Sequence, residues 1–187
     1  ILKQAPFETL ISFIISSNNN IPKIKMTVEA LCETFGKPVA KYGETIYYSF
    51  PTVEDLAGVS LDDLNVKAIG YRAKSVWNTV QKLINEKIDL DDLFGMTYSD
   101  AKALLKTFYG VGDKVADCVL LFAYGKLEAF PIDVWVKKVL VTLYNVEKKQ
   151  EAFVADYFGA YPGVAQQYLF YYMRDGKNTT KVSGEGG

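Results

Sequence analysis

Phe108-Tyr109-Gly110-Val111-Gly112-Asp113-Lys114-Val115-Ala116-Asp117-Cys118 is the stretch that decides how this chain folds. It reads as the end of one helix, a two-glycine turn and the start of a second helix. One glycine supplies a turn with φ > 0, and the other lets backbone N–H groups approach an anion with no Cβ in the way. The dipole of the following helix adds a field that favours phosphate. Lys114 therefore sits where a phosphate backbone can also be held.

Working outward, the flanking pattern is helical. Phe7, Leu10, Ile11, Ile14 and Ile15 recur at three- and four-residue spacings, as do Val76, Val80, Leu83 and Ile84. Pro6 and Pro22 fit first helical turns, with Asn20 as the cap before the second. Gly36-Lys37-Pro38 and Phe50-Pro51-Thr52 punctuate the chain. Asp133, after Pro131 and before Val134, Trp135, Val136, Val139, Leu140 and Leu143, reads as another N-cap. Gly163 is expected to begin the last helix, which carries Gln166 and Phe170 one turn apart. No alternating pattern identifies a sheet; Thr45-Ile46-Tyr47-Tyr48 is the one stretch that passes for a short strand. There is no internal repeat. Residues 176–187 end in Gly186-Gly187 with little to bury and are expected to be a disordered tail.

With 187 residues the chain accommodates one domain or two small lobes sharing a cleft. Hydrophobic residues at 49% and charged residues at 23% suit a soluble globular protein, and no apolar run reaches membrane-span length. The chain opens at Ile1 with no methionine or signal-like segment. Two cysteines, Cys32 and Cys118, are too few for a disulfide framework or a four-cysteine cluster, and histidine is absent. Proton transfer must fall to carboxylates, lysine, tyrosine or water, in a reducing, cytoplasmic setting. The net charge of −1 does not favour nucleic-acid binding as a global number. Its distribution matters more: basic residues gather as Lys23 and Lys25, as Lys67, Arg72 and Lys74, and as Lys137 and Lys138, apart from acidic groups such as Asp89, Asp91 and Asp92, a segregation that could make one face positive. Each cluster is also consistent with an ordinary solvated helix face.

Lys114 and Asp133 carry the chemistry. The positive end of a helix dipole and desolvation in a cleft both favour the neutral, nucleophilic form of an amine. A carboxylate at a helix start stays ionised and stabilises positive charge developing on a sugar. Amine plus carboxylate, with no histidine or metal ligands, suits substitution at a glycosidic carbon. Taken alone, Asp133 is a helix cap, Cys118 a small buried hydrophobe, and Gln166 with Phe170 a surface amide beside a core ring. Asn18 to Asn20 likewise serve as helix-end caps, and Gly70-Tyr71-Arg72 as a turn into a helix.

Five segments in order carry a resemblance: Ser16-Ser17-Asn18-Asn19-Asn20, Gly70-Tyr71-Arg72-Ala73, Gly110 through Cys118, Pro131-Ile132-Asp133-Val134, and Ala165-Gln166 through Leu169-Phe170. The chain resembles the 8-oxoguanine DNA glycosylases of the helix-hairpin-helix (HhH-GPD) class from Ile1 to about Asp175, with the hairpin motif at about 98–123. The resemblance implies an all-α fold of two helical lobes flanking an active-site cleft. It implies that Lys114 attacks the anomeric carbon of a flipped-out nucleotide, assisted by Asp133, and that the imine formed permits strand cleavage by β-elimination. Cys118 and Phe170 would hold the damaged base while Gln166 reads its Watson–Crick edge. Tyr71 would be the wedge, and Asn18, Arg72 and Lys23 would lie at the orphan cytosine. Gly110, Gly112 and Val115 would meet the DNA backbone. Main-chain carbonyls of Lys106, Phe108 and Val111 would bind a monovalent cation, K+ or Na+; no other cofactor is expected. The implied partner is duplex DNA containing 8-oxoguanine or abasic sites. The protein would act as a monomer, in the cytoplasm of a prokaryote or the nucleus of a eukaryote.

Three features depart from the family. Lys23 stands where many members have arginine, and a lysine lacks the planar fork of donors, which relaxes discrimination of the opposite base. Phe108-Tyr109 replaces a common leucine and proline. Nothing corresponds to the β-rich domain that usually precedes this region, so the chain is expected to be a piece of a longer protein. The competing expectations are a noncatalytic DNA-binding fragment, an iron–sulfur glycosylase, which two cysteines argue against, and a purely structural helical domain.

Overall fold

Helix α1, Pro6–Ser16, starts at a proline and turns one face inward, with Leu10, Ile11, Ile14 and Ile15 essentially inaccessible to solvent. Each such side chain contributes about 1.5–3 kcal/mol of burial. The computed structural model describes residues 1–175, and the expected tail at 176–187 lies outside them. Helix α2, Ile21–Phe35, opens under the Asn20 cap, whose side chain accepts from Lys23 N. Strands β1, Pro38–Tyr42, and β2, Thr45–Tyr48, follow as an antiparallel ribbon turning at Gly43, with Tyr42 opposite Thr45. The sequence identifies no sheet, and Thr45–Tyr48, the stretch that passes for a short strand, is one of this pair. Its partner lies where the sequence reads only as punctuation, because a ribbon exposed on both faces leaves no alternating apolar pattern.

A short helix α3, Val53–Leu56, is closed by the reciprocal Thr52–Asp55 capping box. Then come α4, Arg72–Asn85, a 3-10 turn at Leu90–Phe94, α5, Tyr98–Leu105, and α6, Asp113–Phe122. Helices α7, Val134–Tyr144, α8, Gln150–Tyr157, and α9, Pro162–Asp175, complete the described chain. The last helix starts at Pro162, one residue before the glycine expected to open it. Gly163 is instead a point of close approach, since a Cβ there would stand 2.5 Å from Leu121 Cδ1 and 2.6 Å from the Ala129 carbonyl. Its N–H donates to the Leu127 carbonyl at 2.9 Å, so the start of α9 is docked on the segment that follows α6.

Two apolar clusters result. The larger runs from Leu10 to Ala129 and is built where α1 packs on α2, α4 and α6. The smaller holds Phe130, Val136, Leu140 and Val154, with Leu169 and Phe170 against it, where α7 packs on α9. This is the expected mostly helical, two-lobed arrangement. Among the described residues, no helix is long and apolar enough to cross a membrane.

Candidate active site

The two-glycine turn sets the start of α6. Gly110 has φ +84°, a conformation that costs side-chain-bearing residues, and a Cβ there would meet Ser75 Oγ at 2.7 Å. Gly112 is the N-cap residue, with open space where a Cβ would project and no side chain capping the helix. The N–H groups of the first turn of α6 thus have neither an intrahelical acceptor nor a side-chain cap. Val115 in that turn buries its side chain in the main core, so only its backbone faces outward. Asp113 opens the helix under two lysines, with Lys106 Nζ at 2.9 Å and Lys102 Nζ at 3.7 Å from its Oδ1. The hydrogen bond from Lys106 holds its carboxyl below the usual range.

Behind this turn, α5 and α6 are joined by a half-buried polar triad. Asp117 accepts from the Tyr98 hydroxyl at 2.7 Å and pairs with Lys102 at 2.9 Å. Burial pushes the Asp117 carboxyl up, against the hydrogen bonds of Tyr98 and Lys102.

Lys114 reaches from α6 toward α1, where its Nζ lies 5.1 Å from the Phe13 ring centroid and 3.5 Å from Ser16 Oγ. One turn further on, Cys118 is buried, and desolvation raises its thiol to about 12 although Lys114 pulls the other way. It is a neutral apolar wall. Asp133 caps α7 as expected, Oδ1 accepting from Trp135 N at 3.0 Å and Val136 N at 2.8 Å. Gln166, 4% exposed, donates from Nε2 to the Pro131 carbonyl at 3.0 Å.

These side chains meet. Lys114 and Cys118 from one lobe, and Asp133, Gln166 and Phe170 from the other, line a single cavity of about 210 Å3. Phe13, Phe122, Pro131 and Gln167 complete its wall; none of the four has a site role in the sequence reading. Phe13 had a signal, since an aromatic lying off the apolar face of an amphipathic helix needs another partner; here that partner is Phe122, stacked at 5.6 Å. A wider cleft of about 710 Å3 borders Lys114 on the side of Lys137, Lys149 and Glu151. Its lining is mostly charged and has no aromatic ring, so the smaller cavity is the one that suits a flat heterocycle.

A second group forms at the turn between α1 and α2. Asn18, exposed and at φ +48°, lies beside Arg72, whose Nε and Nη2 donate to the Ser17 carbonyl at 2.9 and 2.7 Å and whose Nη2 also reaches the Asn18 carbonyl at 2.7 Å. Tyr71 is 65% exposed, with its ring 4.5 Å from the Arg72 guanidinium. Arg72 is buried, which its sequence position did not reveal. Lys23 is exposed on the first turn of α2, and Lys74 stands 5.4 Å over Tyr109 of the two-glycine turn. The first turn of α4 therefore touches both the Asn18 turn and the hairpin.

The model of the HhH-GPD superfamily base excision DNA repair proteins matches residues 11–157. The chain belongs to that superfamily. It is 38% identical over 157 residues to an N-glycosylase/DNA lyase of Saccharomyces cerevisiae, covering 78% of this chain and 42% of that protein. It is 31% identical over 196 residues to a probable N-glycosylase/DNA lyase of Methanothermobacter thermautotrophicus, covering 92% of this chain and 62% of the relative. Its structure superposes with a TM-score of 0.87 and 42% identity on the Clostridium acetobutylicum 8-oxoguanine glycosylase/lyase in complex with double-stranded DNA containing cytosine opposite 8-oxoguanine. That match covers 95% of this chain and 62% of the other. The chain thus spans less than two thirds of the length of each of these relatives.

Proposed function

We propose that the chain excises 8-oxoguanine from duplex DNA and cleaves the abasic site it creates. The observation that carries this reading is the one cavity between two lobes on which Lys114, Asp133, Cys118, Gln166 and Phe170 converge. The ε-amine of Lys114 attacks C1′ of an extruded nucleotide and gives up a proton as the C1′–N9 bond breaks, and that electron pair leaves with the base, which takes up a proton. Asp133, held by two backbone N–H groups, stabilises the positive charge developing on the sugar. Opening of the C1′–O4′ bond gives an imine with Lys114. Loss of a C2′ proton then expels the 3′ phosphate by β-elimination, and water releases the lysine.

Phe170 and Cys118 flank the base, and Gln166 meets its Watson–Crick edge. Tyr71 fills the gap left in the stack, while Asn18, Lys23 and Arg72 attend the unpaired cytosine, Arg72 by fixing the Asn18 turn. Strand phosphates meet the bare N–H groups after Gly112. The carbonyls of Lys106, Phe108 and Val111 would hold a monovalent cation. They surround one turn, closed by Val111 N donating to the Phe108 carbonyl at 3.1 Å, and a carbonyl oxygen keeps a second lone pair. Such an ion would add positive charge beside a phosphate.

The competing reading is DNA binding without excision. Borohydride trapping on duplexes with 8-oxoguanine opposite each normal base decides between them. A covalent adduct at Lys114 supports the enzyme; no adduct with either 8-oxoguanine or abasic duplexes leaves binding alone.

A further inference from the structure

Gln167 follows Gln166 on α9, lines the same cavity, and donates from its Nε2 to Gln166 Oε1 at 2.5 Å. On the other side Gln166 Nε2 donates to the Pro131 carbonyl at 3.0 Å. Each end of the Gln166 amide therefore has one fixed partner. An amide offers two N–H donors and an oxygen with two lone pairs, so one donor and one lone pair are left for a ligand. Which end is which is not free: reversing the amide would set its oxygen against the Pro131 carbonyl, acceptor against acceptor.

Building on the proposed reaction, we infer that Gln167 is a positioning residue for lesion recognition, locking Gln166 in the orientation that a guanine-type edge requires. Such an edge presents O6 as acceptor and N1–H and N2–H as donors. The remaining N–H of Gln166 meets the first, and the remaining lone pair of Oε1 meets the second. An adenine-type edge, with a donor at position 6 and an acceptor at N1, meets the locked amide with both polarities wrong. The Pro131 carbonyl alone leaves Oε1 free to swing, because one hydrogen bond is a pivot and two define a plane. Gln167 acts through Gln166.

The test uses the full chain in single-turnover assays on two duplexes, one with 8-oxoguanine and one with an abasic site, each opposite cytosine. An abasic site has no base edge, so the ratio of excision to abasic cleavage isolates recognition from the lysine chemistry. Gln167→Leu, which keeps bulk but removes the donor, is expected to lower that ratio about three- to tenfold, the worth of one neutral hydrogen bond. In a Gln166→Ala background the same change is expected to lower it no further, since coupled residues are not additive. Equal losses on both duplexes, or an undiminished effect in the Gln166→Ala background, would overturn the assignment of Gln167. A wild-type chain inactive on both duplexes would instead refute the proposed reaction itself.

Discussion

Lys114 on α6 holds its amine 5.1 Å from the centre of the Phe13 ring on α1. The contact joins the helix that opens after the two-glycine turn to the helix whose end carries Asn18. Lys114 also lines the cavity shared with Gln166 and Phe170. The same turn can then hold the backbone and present the nucleophile.

Lys114→Gln keeps the length and polarity of the side chain but removes the nucleophile. Borohydride trapping is expected to vanish while duplex affinity, measured by anisotropy, stays within about twofold of wild type. Strand cleavage surviving in this variant would show that another amine does the work.

The two glycines of the turn predict opposite signatures. Gly110→Ala meets both the φ of +84° and Ser75 Oγ at 2.7 Å, and is expected to destabilise the fold by about 1–3 kcal/mol. Gly112→Ala has open space around it, so its thermal midpoint is expected to stay near wild type, while on the proposed reading duplex affinity falls because the added methyl would stand in the way of a phosphate. Thermal melts and binding titrations on the two variants separate these effects; a large drop in melting temperature for Gly112→Ala would refute this division of labour.

The Asp117 triad ties the hairpin's two helices together. Asp117→Asn leaves Lys102, whose side chain is 20% exposed, with only the more distant Asp113 carboxylate at 3.7 Å. Because solvent reaches that amine, the expected loss lies below the usual range for a broken buried pair, at about 2 kcal/mol. For a chain of this size it corresponds to a melting temperature lower by roughly 5 °C. A midpoint unchanged by calorimetry would show that the triad contributes nothing to stability.

What the sequence showed, and what it hid, divides along local and long-range physics. Asn20 and Asp133 were readable as caps because their partners lie two or three residues away. The apolar face of α1 was readable because its period is that of the helix. Phe122 and Gln167 were not, since their place in the cavity depends on how two lobes meet, which no local pattern encodes. Arg72 is the sharpest case. The resemblance put Arg72 at the orphan cytosine, but no local pattern showed that the folded chain buries it, with its guanidinium on carbonyls 54 and 55 positions away in sequence. Strand β1 escaped for a different reason: both faces of the ribbon are wet, so no hydrophobic alternation marks it.

Cys118 gives a pH-dependent readout of the closed cavity wall. Burial raises its thiol to about 12 from an ordinary value of 9.0. A group whose pKa is higher in the folded state favours folding while it is protonated. That contribution is whole below pH 9 and is lost as pH climbs from 9 toward about 12. The thiolate is the reactive form, so iodoacetamide at pH 9 is expected to leave Cys118 almost unmodified in the folded chain and to alkylate it readily in denaturant. Peptide mass spectrometry on both samples reads this directly. Rapid folded-state alkylation of Cys118 at pH 8 would mean that the wall between Lys114 and Phe170 is open to solvent rather than sealed against a base.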